Sequence, residues 1–352
     1  MMDPKQVVDL VKAHANYLKN NHEKIDIFEG NLLPYIDADL KAQMSPQSYQ
    51  QALFRTVPIN IAPKIIDKLT NIYQTSVVRE VVNGTKEDAA LLKWYEEKLE
   101  INDQMNSANE MFNLNKSTLI QPYVYESHPK IRVIPNDMFV PYSDNRVCPE
   151  KPTDIVVLAG KKGDKDLYWH YSKDGFKAVL SDETIDPGEL TRLENTNGVN
   201  PYGVLPFTYI NSSKQKVVPT QDTDFLKLVK VIPIMLTDLN VAAMFQAFSI
   251  IFMIDIDQKD LVFAPNMVWK FKSDPSGTTK PEVGTIKPTV DYDQILSLIA
   301  TQLAMWMETK GIRAGTMGNL TVQNLASGIS KIIDEMDTFE ARQKQVTVFQ
   351  KG

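Results

Sequence analysis

The acidic residues that follow the most apolar stretch of the chain are its clearest candidates for chemistry. Asp255, Asp257 and Asp260 lie close together, directly after the apolar window Val241 to Ile254. Clustered carboxylates are the ligands that hard divalent cations prefer. The cluster therefore supports one hypothesis, a metal-dependent α+β enzyme. A solvated boundary between a buried helix and the next strand explains the same residues without a metal.

The chain lacks the sequence motifs of the common catalytic classes. There is no GxxxxGK(S/T) phosphate loop, no GxSxG or HExxH motif and no CxxC pair. The histidines His14, His22, His128 and His170 share no metal-ligand spacing, although a β module could bring His128 and His170 together. A solvated or structurally hydrogen-bonded side chain explains each histidine more simply, and the single Cys148 excludes an intrachain disulfide. No cofactor is expected.

A second group of candidates lies in a small-residue loop near the end of the sequence. Its three glycines lower the cost of moving the chain and of approaching a phosphate backbone closely. The cations Lys310 and Arg313 are placed to contact phosphates, which would position DNA without reading its bases. The predicted DNA-facing set is Lys310, Arg313, Thr316, Asn319 and Gln323. A plain connection between two helices is the alternative interpretation.

Two amphipathic helices must hold this loop. The first covers residues 291–310, and the second begins near Asn324. Apolar residues cover more of the first helix than one packing face needs. They are Ile295, Leu296, Leu298, Ile299, Leu303 and Trp306. Such a helix needs neighbours on several sides, as in a ring of subunits, whereas a helix buried inside a monomer is the alternative.

The rest of the chain mixes helical and strand patterns without regular βαβ order, which predicts an α+β fold. Residues 130–210 are expected to form an antiparallel β module, and residues 24–60 to be irregular. The expected helices cover 3–23, 59–73, 87–115 and 220–251, the last with a kink or boundary at Pro233. The expected strands cover 117–125, 131–134, 154–158, 166–171, 176–180, 261–263 and 267–271.

Composition and charge restrict the classes of function. The chain has 352 residues and a net charge of −6, so it has no global basic surface for tight nucleic-acid binding. A protein through which DNA slides should avoid many phosphate contacts, so this charge is compatible with a DNA conduit. The window Val241 to Ile254 is too short to span a bilayer and predicts a buried or interface helix.

Several stretches, taken in order, resemble the portal proteins of tailed bacteriophages. Pro63 to Tyr73 resembles the helix that leads into the portal wing, and Pro135 to Tyr142 resembles a proline–aspartate turn of the wing. Asn200 to Phe207 is similar to the loop and strand that close the wing. Asp224 to Phe248 resembles the helix that descends to the stem, and the helix, loop and helix from Asp291 onward resemble stem, tunnel loop and spine.

The resemblance implies a portal fold with a helical and β wing, two stem helices, a small α/β clip, a tunnel loop and a long spine helix. The implied segments are the wing (1–223), first stem helix (224–254), clip (255–290), second stem helix (291–310), tunnel loop (311–325) and start of the spine helix (326–352). Partner proteins would dock on the clip residues Lys272, Asp274, Lys280 and Glu282. Portals continue into a crown, which is expected to be absent or truncated here.

By the same resemblance the chain is expected to be a subunit of a ring of about twelve copies, and not an enzyme. Double-stranded DNA would pass through the ring during packaging and ejection, without sequence specificity. Expected partners are the terminase large subunit, head-tail adaptors and the major capsid and scaffold proteins, with no membrane. The expected location is the portal vertex of the virion and, during assembly, the host cytoplasm. The alternatives are the metal-dependent enzyme and a virion scaffold protein that conducts no DNA.

Overall fold

The computed structural model describes residues 1–73, 77–126, 128–192, 197–247, 250–254, 282–286, 291–311 and 340–350. These residues form helices and antiparallel sheets, so the predicted α+β class is confirmed. The helices are α1 (Pro4–Ala13), α2 (Ala15–Phe28), α3 (Leu33–Gln43), α4 (Pro46–Leu53), α5 (Ala62–Leu69), α6 (Lys86–Leu99), α7 (Ile101–Asn115), α8 (Pro187–Arg192), α9 (Thr223–Ala247) and α10 (Tyr292–Thr309). The strands are β1 (Ser117–Tyr125), β2 (His128–Ile134), β3 (Phe139–Tyr142), β4 (Asp154–Lys162), β5 (Lys165–Ser172), β6 (Phe176–Leu180), β7 (Thr208–Asn211), β8 (Ile250–Ile254) and β9 (Glu282–Ile286). Residues 340–349, here called the C-terminal segment, are also helical.

The chain divides into two compact units. Unit 1 consists of Met1–Leu32, Asn60–Val229 and Leu303–Gly352. Unit 2 consists of Leu33–Ile59 and Lys230–Gln302. The division into wing, stem, clip, tunnel loop and spine stays a prediction.

Unit 1 contains two antiparallel sheets, one with the strand order β2-β1-β7 and one with the order β3-β4-β5-β6. Successive side chains of a strand point to opposite faces of its sheet. Val140 and Val156 pack with residues of α1 and α2 on one face of the four-stranded sheet. Phe139 and Ile155 pack on the other face with Leu119 of the three-stranded sheet. The two sheets therefore share one apolar layer, and helices cover the outer side of the four-stranded sheet.

The C-terminal segment completes the core of unit 1. The ring of Phe349 lies edge-on to Phe112 of α7, with centroids 5.3 Å apart, and to Tyr73, with centroids 6.0 Å apart. One turn earlier, Gln345 Nε2 donates a hydrogen bond of 2.9 Å to Asn113 Oδ1. Aromatic and amide contacts therefore fix the segment against α7.

Unit 2 contains α3, α4, most of α9 and α10, and the antiparallel pair β8–β9. Lys230 Nζ of α9 lies 3.2 Å from Asp39 Oδ2 of α3. Asn240, further along α9, donates to the carbonyl oxygen of Arg55 at 3.3 Å. These polar contacts connect the N-terminal helices of the unit to α9.

The prediction that residues 24–60 are irregular is wrong. The stretch contains the end of α2, all of α3 and all of α4. Pro34 and Pro46 lie in the first turns of α3 and α4, where a backbone N–H has no helical partner to lose. Ser45 caps α4 by accepting a hydrogen bond from the Ser48 amide at 3.3 Å. The prolines therefore mark helix starts here and do not interrupt helices.

The helix predicted over 220–251 is also wrong at its C-terminal end, and so is the helical interpretation of the apolar window Val241 to Ile254. The helix α9 ends at Ala247, and Ile250–Ile254 is a strand that pairs in antiparallel register with Glu282–Ile286. A short, continuously apolar run does not distinguish helix from strand by periodicity alone. Here the β-branched residues and the distant partner strand favour the sheet.

Most other predicted elements are confirmed, with small differences. The helix expected over 3–23 is two helices separated at His14, and Pro233 lies inside α9. The strands expected before residue 181 are present, while β3 and α8 were not predicted. The strands expected at 261–263 and 267–271 lie outside the described residues.

Replacement of Phe349 by alanine tests the packing of the C-terminal segment. Phe349→Ala should lower the free energy of unfolding by about 2 kcal/mol, because a half-buried ring loses its apolar burial and two edge contacts. Urea unfolding measures the change. Lys344→Ala, at an exposed position of the same segment, is the matched control and should stay within about 0.5 kcal/mol of the wild type. Equal losses in the two variants would contradict the packing.

Candidate functional site

The C-terminal end of α10 is the place where the predicted DNA-facing loop begins. Lys310 directly follows the helix, and Gly311 adopts a φ of +73°, in the left-handed region that favours glycine. The amides of Lys310 and Gly311 donate to the carbonyl oxygens of Met307 and Glu308, at 3.0 Å each. This tight last turn fixes the position from which the Lys310 side chain extends.

Two aspartates hold the Lys310 side chain. Its Nζ forms a close ion pair with Asp222 Oδ2 and lies 3.4 Å from Asp224 Oδ2, both at the beginning of α9. It also lies 5.2 Å from the centre of the Trp306 ring, within the range of a cation–π contact. Trp306 Nε1 donates to Asp224 Oδ2 at 3.1 Å. The side chain of Lys310 is 18% exposed, so its charge is largely enclosed by these partners.

Lys116 brings a second cation to Asp222. It follows α7 with a φ of +66°, and its amide donates to the carbonyl oxygen of Phe112 at 2.7 Å. Its Nζ lies 3.6 Å from Asp222 Oδ2. One carboxylate is therefore shared by Lys116 and Lys310.

A polar network connects these aspartates to α2. Gln221 Nε2 donates to the Tyr17 carbonyl oxygen at 2.9 Å and to Asn21 Oδ1 at 3.0 Å, while Gln221 Oε1 accepts from Asn20 at 2.7 Å. Lys24 lies one turn after Asn21 on the same face of α2 and is 1% exposed. We call Lys24, Lys116, Asp222, Asp224 and Lys310 the junction cluster.

Burial shifts the pKa of the two inner lysines most. Removal from water, reinforced by repulsion from Lys116, lowers the pKa of Lys24 to about 8. Removal from water and repulsion from Lys310 likewise lower the pKa of Lys116 to about 8. Burial acts to raise the pKa of Asp224, but Lys310 and the hydrogen bond from Trp306 hold that pKa below its usual value. Positive charge is therefore crowded in the junction cluster, with three lysines against two aspartates.

The junction cluster is better suited to holding elements together than to amine chemistry. A lysine with a lowered pKa is a candidate nucleophile or base where a substrate can reach it. Lys24 is enclosed, and the ammonium groups of Lys116 and Lys310 are paired with Asp222. The cluster connects α2, the end of α7, the start of α9 and the end of α10, so it determines where the chain leaves α10.

Of the predicted DNA-facing set, the structure describes Lys310, whose charge is balanced within its own chain. Its contact with DNA stays a prediction. The other members, Arg313, Thr316, Asn319 and Gln323, lie outside the described residues.

Of the predicted clip residues and the aspartate cluster, the structure describes only Glu282. Glu282 is the first residue of β9 and pairs with Ile254. Outside the described residues lie Lys272, Asp274, Lys280, Asp255, Asp257 and Asp260. Within the described ranges, no group of three or more His, Cys, Asp or Glu side chains could hold a metal ion. The metal hypothesis therefore concerns residues outside those ranges.

The β module does not bring His128 and His170 together, because they lie on different sheets. His170 is fully buried on β5, with Nε2 at 2.7 Å from Asp154 Oδ1. His128 lies on β2, with Nδ1 at 2.7 Å from the carbonyl oxygen of Glu126. The structural interpretation of each histidine is confirmed by these hydrogen bonds.

Comparison with known proteins adds no family. A scan of protein-family models and a search of curated proteins found no match to the chain. In the described part of the chain, no helix has both the length and the apolar character needed to cross a membrane. The functional argument therefore depends on the residues of this chain.

Replacement of Asp222 by asparagine tests whether this carboxylate organises the junction cluster. Asp222→Asn should lower the free energy of unfolding by about 3 kcal/mol, because two largely enclosed ammonium groups lose their shared counter-charge. Urea unfolding near neutral pH measures the loss. Asp182→Asn is the matched control, since Asp182 pairs with Lys165 in the solvent, where an ion pair contributes little to stability. A loss at Asp222 no larger than the loss at Asp182 would refute the role assigned to it.

The lowered pKa of Lys24 predicts a pH-dependent effect of Lys24→Met. In halide-free buffer at pH 7 this variant should be more stable than the wild type by roughly 1–3 kcal/mol, because methionine removes a buried ammonium group. The folded pKa of about 8 lies below the ordinary value of 10.5, so the unfolded chain binds more protons between these values. Wild-type stability should therefore rise with pH above about 8, and the advantage of Lys24→Met should shrink.

Urea unfolding of both proteins from pH 7 to about 9.5 measures this difference. The upper limit avoids the range in which tyrosines ionise. A stability difference that is constant over this range would show that Lys24 keeps an ordinary pKa.

Proposed function

We propose that the chain is a subunit of a portal ring through which double-stranded DNA enters and leaves a phage capsid. The exposed apolar surface of α10 is the observation that carries the proposal. Leu296 and Leu298 are each nearly half exposed, and Met305 is 63% exposed. Apolar surface of this kind commonly marks a contact with another protein surface.

The positions of these residues around the helix favour two neighbours over one. Leu298 and Met305 are seven residues apart and therefore lie on the same face of α10. Leu296 lies about 200° around the helix from Leu298, nearly on the opposite side. One flat partner surface would cover one of these sides. A subunit of a closed ring has a neighbour on each side, so both apolar faces would be covered.

The charge distribution agrees with a channel in which DNA is not held tightly. Each Lys or Arg that neutralises a phosphate adds affinity, and many such contacts would oppose sliding. The chain carries a net charge of −6, and Lys310 is paired with Asp222 and Asp224. In the proposed ring the tunnel loop (311–325) would contact DNA weakly. Terminase and the head-tail adaptors would dock on the clip (255–290).

The solution mass of the purified chain tests the proposal. Light scattering should find particles of about 480 kDa for about twelve copies of the 39.9 kDa chain, and negative-stain images should show a central hole. Leu298→Asp should shift the mass toward that of the single chain, because a buried unpaired charge opposes association. Val147→Asp, at a position 88% exposed in a loop of unit 1, is the matched control and should leave the rings intact. A single-chain mass for the wild type would contradict the ring.

Deletion of residues 313–320 separates a DNA-conducting ring from a passive scaffold protein. A conducting ring lacking this part of the loop should still assemble but fail to package or retain DNA. In a scaffold protein that conducts no DNA, the same deletion should leave the packaging and retention of DNA unchanged. A single-chain mass combined with a large gain in thermal stability on adding Mg²⁺ or Ca²⁺ would instead favour the metal-dependent enzyme.

A further inference from the structure

Lys24 is the most enclosed charged side chain of the junction cluster. It is 1% exposed, and its Nζ has no hydrogen-bond partner among the described residues. An ammonium group has three donors, and enclosing them without acceptors costs free energy. Asn21, one turn earlier on the same face, is by contrast bonded to the Asn136 carbonyl oxygen and to Gln221. Among the described residues, Lys24 therefore lacks the partners that Asn21 has, as does the buried Tyr17 hydroxyl on the same face of α2.

The charged groups around Lys24 leave it without a dedicated counter-charge. Lys116 and Lys310 repel it, and Asp224 attracts it. Asp222 already pairs with Lys116 and Lys310, while Asp224 lies beside Lys310 and accepts from Trp306. Two carboxylates therefore face three ammonium groups, which leaves an excess of one positive charge.

A second unpartnered polar group lies next to the cluster in the chain. Asn115 directly precedes Lys116 and is fully buried, and neither its side-chain nitrogen Nδ2 nor its side-chain oxygen Oδ1 has a hydrogen-bond partner among the described residues. The end of α7 therefore contains an unpartnered neutral donor that is next to Lys116 in the chain. In the part of the chain that the structure describes, α2 and α7 each contain a buried N–H donor that lacks an acceptor.

We infer that Lys24 and Lys116 bind a monovalent anion of halide size. One negative charge balances the excess, and a small ion suits a region enclosed by packed elements. The side chain of Lys116 is 28% exposed, so it gives the ion a route from solvent. A water molecule would supply a hydrogen-bond acceptor to Lys24 but would not neutralise its charge.

Thermal unfolding of the full chain in sodium gluconate and in sodium chloride, at matched ionic strength, tests the site. Chloride should raise the Tm of the wild type by a few degrees and the rise should saturate, because the ion binds the folded state. Lys24→Met should lose this rise. Lys161→Met, on the exposed end of β4, is the matched control and should keep it. If Lys24→Met does not fold, Lys116→Met replaces it as the variant expected to lose the rise.

Crystals grown in sodium bromide provide a second measurement, independent of stability. Bromide scatters anomalously, so a bound ion should give an anomalous peak in contact with Lys24 Nζ in the wild type. A water at that place would overturn the proposal, and so would a chloride-dependent rise of the same size in Lys24→Met and the wild type. The latter result would mean a general salt effect on the folded state.

Discussion

Asp222 is the carboxylate on which the arrangement around the end of α10 depends. Its Oδ2 faces the ammonium groups of Lys116 and Lys310, which come from different segments of unit 1 that are far apart in the sequence. Without it, two enclosed cations would repel each other. Such pairs add little net stability compared with apolar packing, but an unbalanced member is costly. The interaction therefore specifies, within unit 1, one arrangement of the end of α7, the start of α9 and the end of α10.

The β module could be predicted from the sequence because its signals are local. The strands β1 and β6 have the predicted bounds, since residue types that favour strands and a break in the helical pattern mark them. Local sequence patterns gave wrong predictions where the same residue type is compatible with two kinds of structure. Proline ends helices but also begins them, which concealed α3 and α4. The apolar run at Ile250–Ile254 required a partner strand at Glu282–Ile286, which no local pattern reveals.

Of the junction cluster, the sequence analysis identified Lys310 as a candidate functional residue, but it identified none of the other members. Lys310 stood out as a cation beside a glycine-containing loop, but Asp222 and Asp224, which neutralise it, are more than 80 residues away. One signal for Lys24 was present, since Tyr17, Asn21 and Lys24 have the i, i+4, i+7 spacing of one helix face. Because Tyr17 is largely apolar, it suggests that this face of α2 is buried in the protein. A single sequence nevertheless does not distinguish a buried lysine from a solvated one at this position, because the elements that enclose Lys24 are distant in the sequence.

In the proposed ring, α10 must be held firmly while DNA is held weakly. A free ammonium group at the start of the tunnel loop would satisfy neither need, because it would leave the helix end loose and would attract phosphate. The ion pairs of Lys310 with Asp222 and Asp224 meet both needs, since the contacts that fix the end of the helix also neutralise its cation. Apolar association between subunits is non-directional, so the orientation of neighbouring α10 helices has to come from directional contacts within each chain. The junction cluster supplies such contacts at the helix end that precedes the loop.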